Sequence, residues 1–336
     1  MIKSSEFDYY LPKKLIAQKP IAPRDHSRLM ILNRKNQSIT HDYFYNLGKY
    51  LKPADVLAVN DSRVIPARLI GKKPSGGKIE ILLLKKIKND LWETMLKGKI
   101  LPETEIVFNK NLNGILIQKN NQLGKIKFNL TGQKFIKTIY KIGQAPTPPY
   151  IKRISNLKEY QTIYAKEAGS TAAPTAGFHF TKKLIKKLKK QGIQFEFVTL
   201  HVGLGTFQPV RVENIEKHQI HPEWGEITGA TAKKLNQARQ NRQRIIAVGT
   251  TSARTLESFC RNKKIKSGEK WIDTFIYPGY KFKFVDGLIT NFHLPKSTLI
   301  MLVSTWAGKK FIFQAYQRAI EKKYRFYSFG DAMLII

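Results

Sequence analysis

Asp55-Val56-Leu57-Ala58-Val59-Asn60-Asp61 is the stretch on which the fold turns. An apolar run passes directly into an amide and a carboxylate, the form of a strand that delivers polar side chains at its C-terminal end. Open α/β sheets place ligands there. Asn60, Asp61 and Arg63 are therefore site candidates.

Beyond Leu69 the pattern changes. Short apolar runs at 78–87, 91–96, 105–108, 114–118 and 124–130 read as strands separated by polar turns. Parallel connections need about a dozen residues each, so these strands are expected to pair antiparallel. The expected architecture is a large discontinuous α/β domain, residues 1–68 and 151–336, with an antiparallel β-barrel-like domain, residues 69–150, inserted into it. A proline-stiffened return at 146–150 closes the insertion.

After the insertion, helix and strand signals alternate. Thr181 can cap a helix running to Lys190, with Leu184, Ile185 and Leu188 on one face and Gly192 past its end. Lys182, Lys183, Lys186, Lys187, Lys189 and Lys190 have no acidic neighbour in this helix. They suit phosphate contacts or simply a solvated face. Strands are expected at 195–202, 245–249, 273–277 and 324–329, a helix at 298–307 behind Ser297, and a packed apolar tail at 332–336.

Two stretches resist regular structure. Gly169-Ser170-Thr171-Ala172-Ala173-Pro174-Thr175-Ala176-Gly177-Phe178-His179-Phe180 combines small residues, a proline and two glycines with an imidazole. Thr199-Leu200-His201-Val202-Gly203-Leu204-Gly205-Thr206-Phe207 again sets an imidazole beside glycines and a hydroxyl. Both read as pocket walls, because glycine lets backbone approach a ligand closely. Thr250 and Thr251, at a strand-to-helix junction, can hold a polar group or cap the helix, and Asn291 follows another apolar run.

Of seven histidines, His179, His201 and His293 abut a loop, a glycine or a proline and are the acid/base candidates. His218, His221 and Glu223 complete no standard zinc pattern, so no metal is expected. Dinucleotide and Walker-type glycine fingerprints are also missing. The single cysteine, Cys260, rules out an intrachain disulfide framework and fits a reducing compartment. With no signal-peptide-like start and no membrane-spanning apolar run, a cytoplasmic protein is expected. A formal charge of +35 points to a polyanion, nucleic acid first, although a lysine-biased composition would also raise it.

Taken together, several strings resemble the S-adenosylmethionine:tRNA ribosyltransferase-isomerase family of queuosine synthesis. They include Phe7-Asp8-Tyr9-Tyr10-Leu11-Pro12, Asn60-Asp61-Ser62-Arg63-Val64-Ile65-Pro66-Ala67-Arg68-Leu69 and Ala172-Ala173-Pro174-Thr175-Ala176-Gly177-Phe178-His179-Phe180. Further along come Thr199 through Phe207, Val248-Gly249-Thr250-Thr251-Ser252, Thr290-Asn291-Phe292-His293-Leu294-Pro295 and Tyr324 through Leu334. Departures are mild, with Ser62, Phe178 and Ser170-Thr171 standing where the family usually has Thr, Leu and a small residue followed by Val or Ile.

The resemblance implies an enzyme that transfers and isomerises the ribosyl moiety of S-adenosylmethionine onto the aminomethyl-7-deazaguanine at the tRNA wobble position. Epoxyqueuosine forms, and adenine and methionine leave. S-adenosylmethionine is then a consumed substrate, with no cofactor, and the partner is a tRNA carrying that base. The sequence itself shows no leucine-zipper repeat or docking helix, which leaves the oligomeric state open with a monomer preferred. On this reading His179, His201 and His293 are the available acid/base groups, which the sequence does not separate; the preferred assignment gives His201 the proton abstraction and His179 the assistance to adenine. Asp61 and Asp331 orient amine or ribose hydroxyls, and Arg63 and Arg68 hold a carboxylate or phosphate. Thr175, Gly177, Gly203, Gly205, Thr206, Thr250, Thr251 and Asn291 line the substrate site, and the lysines of 182–190 meet tRNA. A tRNA methyltransferase or a non-enzymatic RNA-binding protein are the alternatives.

Overall fold

The computed structural model describes residues 1–148, 150–152, 156–203 and 209–336. Its larger part is built on a nine-stranded mixed sheet. In spatial order the strands are Gly268–Ile272, Glu223–Ile227, Gln194–Leu200, Val56–Asn60, Ile245–Val248, Gly287–Asn291, Ala332–Ile335, Arg28–Asn33 and Ser38–Tyr43. The four from Gln194–Leu200 to Gly287–Asn291 run parallel. Ala332–Ile335 runs antiparallel to the last of them and parallel to Arg28–Asn33.

Every residue of Val56–Asn60 is buried, as a strand covered on both faces requires. The two-residue period divides it cleanly: Val56 and Ala58 enter one core, Leu57 and Val59 the other. Helices Gly229–Gln240, Thr250–Phe259, Thr298–Ala307 and Lys309–Glu321 cover the first face. Lys182–Lys190, with the 3-10 turns Phe44–Lys49 and Thr175–His179, covers the second. Thr181 caps the lysine helix by accepting from the Leu184 amide at 3.1 Å, as its sequence position foretells.

Between Val56–Asn60 and Gln194–Leu200 the chain makes a closed antiparallel barrel. Its strands are Arg68–Lys72, Lys78–Lys86, Leu91–Lys97, Glu105–Val107, Asn113–Asn120 and Leu123–Phe128. Closure needs the first of these, which sequence reading did not identify. Its Gly71 leaves space that Ile106 fills, for a Cβ there would stand 2.6 Å from Ile106 Cγ2. Helix Gly132–Ile142, also unforeseen, plugs the barrel with Phe135 and Ile139. The large α/β part is thus discontinuous, with the barrel inserted into it.

Two expected strands lie elsewhere. The segment 273–277 is irregular, and the strand is Gly268–Ile272 just before it. Residues 324–329 form no strand because Tyr327 has φ 71°, outside the extended region that a strand needs. The strand comes eight residues later, in the apolar tail.

Candidate active site

The sheet's polarity gathers most of the candidates at one edge. His201, Asp61, Thr250 and His293 follow the C-terminal ends of the four parallel strands, and Asp331 precedes an antiparallel one. The neck of the barrel lies at this edge too, where Glu167–Ser170 pairs in parallel with Ser62–Val64. Asn60 fixes the spot by accepting from the Leu200 and Ser62 amides, at 3.1 and 3.0 Å, and donating to Leu200 O at 3.0 Å. Ser170 Oγ accepts from the Val202 amide at 2.8 Å and donates to Ser62 Oγ at 2.9 Å. Backbone on either side of His201 is therefore tied down.

Between barrel and sheet lies a cleft of about 1160 Å³. Leu84, Trp92, Met95, Phe135 and Ile136 line it from the barrel side; His201, Gly203, Glu223, Trp224, Arg254 and Trp271 line it from the sheet. It is roomy enough for a nucleoside-sized ligand. The His201 ring stacks on Trp224, with centroids 4.9 Å apart and planes 20° from parallel, while Gly169 backs its other side so closely that no side chain fits there. Burial pushes its pKa down to about 4, against a smaller opposing pull from Glu167. The imidazole is neutral at physiological pH, and its buried Nδ1 has no hydrogen-bond partner among the described residues.

Glu223 and Arg254 form an ion pair in the cleft wall, each side chain 6% exposed. Glu223 also accepts from the Gly203 amide at 2.8 Å, and Arg254 Nε donates to Thr274 O at 3.1 Å. Arg254 Nη2 is buried and has no hydrogen-bond partner among the described residues. The wall thus offers an uncommitted donor.

A second, much smaller cavity of about 40 Å³ is bordered by Thr175, Thr250, Thr251, Asn291 and His293, with Val202 shared between the two spaces. It has room for about one water. Thr175 Oγ1 donates to Asn291 Oδ1 at 3.1 Å, and Asn291 Nδ2 donates to Tyr327 O and to His179 Nε2, both at 3.1 Å. With Nε2 accepting, neutral His179 carries its proton on Nδ1 and donates it to Ser27 Oγ at 2.7 Å. His179 is therefore fully bonded, borders neither cavity, and is held down to about pKa 3 by burial, with Arg325 and Arg24 adding to the effect. His293 Nε2 bonds Thr290 Oγ1 at 2.8 Å, and burial lowers its pKa to about 3 as well.

The remaining candidates stand apart from the cleft. Asp61 accepts from Thr199 Oγ1 at 2.8 Å, and burial raises its pKa. Asp331 takes the amides of Arg28 and Arg325 at 3.1 and 2.7 Å, and burial raises its pKa also. Arg63 is exposed and bonds Ala165 O at 2.9 Å; Arg68 makes a two-point pair with Glu80 at 2.9 Å. Gly177 is packed beneath Tyr164. All six lysines of Lys182–Lys190 are exposed, on the sheet face opposite the helices that border the cleft. Gly205 and Thr206 lie outside the described residues. Among the described residues no group of three His, Cys, Asp or Glu side chains is placed to hold a metal ion.

Sequence reading missed Glu223 as a partner of Arg254, and it missed Trp224, Trp271 and the cleft cations Lys85, Lys86, Lys137 and Arg211. Arg254, two residues beyond Ser252 in a quoted motif, had a usable signal: an arginine among small residues at a helix start.

Comparison with known proteins extends over almost the whole chain. Residues 4–335 match the family model described as queuosine biosynthesis protein. Similar curated proteins include the S-adenosylmethionine:tRNA ribosyltransferase-isomerases of Thermoanaerobacter sp., 53% identical over 344 residues, and Thermotoga petrophila, 50% identical over 338 residues, with 100% of both chains covered in each case. A crystal structure of an S-adenosylmethionine tRNA ribosyltransferase from Thermotoga maritima is 39% identical, with 99% of this chain and 100% of that one covered and a TM-score of 0.59.

Proposed function

Since the chain belongs to the queuosine-biosynthesis family of S-adenosylmethionine:tRNA ribosyltransferase-isomerases, we propose that the cleft between barrel and sheet is where that reaction takes place. The enzyme moves the ribosyl part of S-adenosylmethionine onto the aminomethyl group of a wobble-position 7-deazaguanine in tRNA. The transferred unit isomerises to an epoxycyclopentanediol, and adenine and methionine are released. The observation that carries the placement is a neutral imidazole, His201, in the wall of a cleft of about 1160 Å³.

The sulfonium acidifies the ribose carbon beside it, and a neutral imidazole can take that proton. His201 is the one of the three histidine candidates that borders the large cleft. Trp224 and Gly169 hold its ring in a single plane, which keeps base and substrate in line. Arg254 takes the methionine carboxylate through Nη2, since Arg63 and Arg68 are engaged elsewhere. His293, Asn291 and the threonines serve the smaller cavity next door, and His179 and Asp331 brace the strand ends behind it. The lysines of Lys182–Lys190 extend the phosphate-binding surface away from the cleft.

The test is product analysis with S-adenosylmethionine and tRNA bearing the aminomethyl precursor. Adenine and methionine in equal amounts, with an epoxycyclopentanediol on the base, are expected. S-adenosylhomocysteine in their place would make the protein a methyltransferase, and binding of RNA without any turnover would leave only an RNA-binding protein.

A further inference from the structure

Trp224 and Trp271 are register partners on adjacent antiparallel strands, so their indoles leave the sheet on the same side. Both border the cleft. Trp224 is occupied by the ring of His201. Trp271 stands on the outermost strand, 49% exposed, in a segment whose neighbours are Glu269 and Lys270. An indole left half in water contributes little to a core. What meets it comes from the barrel: Lys85 Nζ lies 4.0 Å from the centre of its ring. Lys86 and Lys137 border the same cleft.

We infer that Trp271 is a stacking platform for a nucleobase of the RNA substrate, with Lys85 moving from the indole to a phosphate of the bound strand. The inference rests on the reading of the protein as a tRNA-modifying enzyme, and it names the surface that would receive the RNA. An exposed cation–π contact is weaker than stacking of a base on an aromatic ring, so a base can replace the ammonium. The released lysine then meets the backbone charge that arrives with the base. Because Trp271, Trp224 and His201 form a row, a base stacked at its outer end lies on the approach to the imidazole. Single-stranded anticodon nucleotides are the part of a tRNA that can splay out in this way.

The experiment uses the full chain with Trp271→Ala, Trp271→Phe and Lys85→Ala, each checked for its melting temperature. Binding of the precursor tRNA is titrated, and KM is measured separately for tRNA and for S-adenosylmethionine. Trp271→Ala is expected to weaken tRNA binding about ten-fold or more and to raise KM for tRNA alike. Trp271→Phe should restore most of the loss, Lys85→Ala should reduce the salt dependence of binding, and KM for S-adenosylmethionine should stay put. A folded Trp271→Ala protein with wild-type tRNA affinity would overturn the inference. So would a lowered melting temperature with both KM values raised in Trp271→Ala, the pattern of a latch between barrel and sheet. Failure of the wild-type protein to release adenine would count against the enzymatic reading, whereas the binding titrations would still decide the platform.

Discussion

The backbone of Gly169 lies against His201 so closely that a Cβ on Gly169 would stand 2.5 Å from Nε2 and 2.7 Å from Cδ2 of the imidazole. Gly169→Ala must therefore displace the ring, pressing it against Trp224. A displacement of about 1 Å at a reacting group costs on the order of 10²-fold in rate. The expected result is a single-turnover rate of adenine release lowered by about that factor, with tRNA affinity kept. An unchanged rate would show that the ring position is immaterial to the chemistry.

Alanine at each of the three histidines should separate their roles. His201→Ala is expected to keep its melting temperature and tRNA affinity while losing roughly 10² to 10⁴-fold in adenine release, the usual range for a general base. His179→Ala leaves Ser27 and Asn291 without their partner, which costs about 1–3 kcal/mol of stability. Its turnover should follow the folded fraction. Should His179→Ala lose activity at full stability instead, the proton-handling role would move there.

The three imidazoles also set a pH dependence. Burial holds His201 at about 4 and His179 and His293 at about 3, against an ordinary value of 6.5. Below 6.5 the unfolded chain binds protons that the folded one refuses, so stability falls with pH from there toward the folded values. Above that value the contribution is complete and flat. Each of the two fully buried rings, His179 and His293, adds a slope of ~1.4 kcal/mol per pH unit within the window. Thermal midpoints should drop between pH 7 and pH 5, and His293→Gln should flatten the curve. The single-turnover rate, in turn, should show no inflection near 6.5 attributable to His201.

Removing one half of the Glu223–Arg254 pair strands a charge. Either Glu223→Ala or Arg254→Ala is expected to cost about 3–5 kcal/mol, and the double variant less than the sum. A denaturation cycle measures this directly. Arg254→Lys is more informative for function, since it keeps the charge but loses the planar donor set; KM for S-adenosylmethionine should rise while KM for tRNA holds.

Glutamine at all six lysines of Lys182–Lys190 should weaken tRNA binding and lower the slope of log affinity against log salt by about 0.7–0.9 for each phosphate no longer neutralised. Adenine release at saturating tRNA should not change. An identical salt slope would make this helix face merely solvated.

What could be read beforehand depended on local pattern. Val56–Asn60 announced itself because a strand buried on both faces must be apolar throughout, and the lysine helix because Thr181, Leu184 and Leu188 are spaced as a cap and one face. Gly268–Ile272 was hidden by four exposed residues, and Arg68–Lys72 by a glycine whose missing side chain matters only against the Ile106–Phe108 segment packed on it. Helix Gly132–Ile142 shows the four-residue spacing of Phe135 and Ile139 but stands among strand signals. In the cleft wall, His201 and Gly203 were legible from glycines next to an imidazole. Glu223 with Arg254, and Trp224 with Trp271, depend on tertiary contact and strand register, which no short window of sequence contains.

The position of the Ala332–Ile335 strand has a consequence for biosynthesis. The hairpin of Arg28–Asn33 and Ser38–Tyr43, made early, reaches the rest of the sheet only through this late strand. During translation it must wait, without a sheet neighbour, while positions 44–331 are added. Asp331, at the entrance to that strand, then takes the amides of Arg28 and Arg325 and draws early and late segments together at the edge where His201 stands. A ribosome stalled shortly before residue 332 would hold a barrel and most of a sheet, but no joined enzyme.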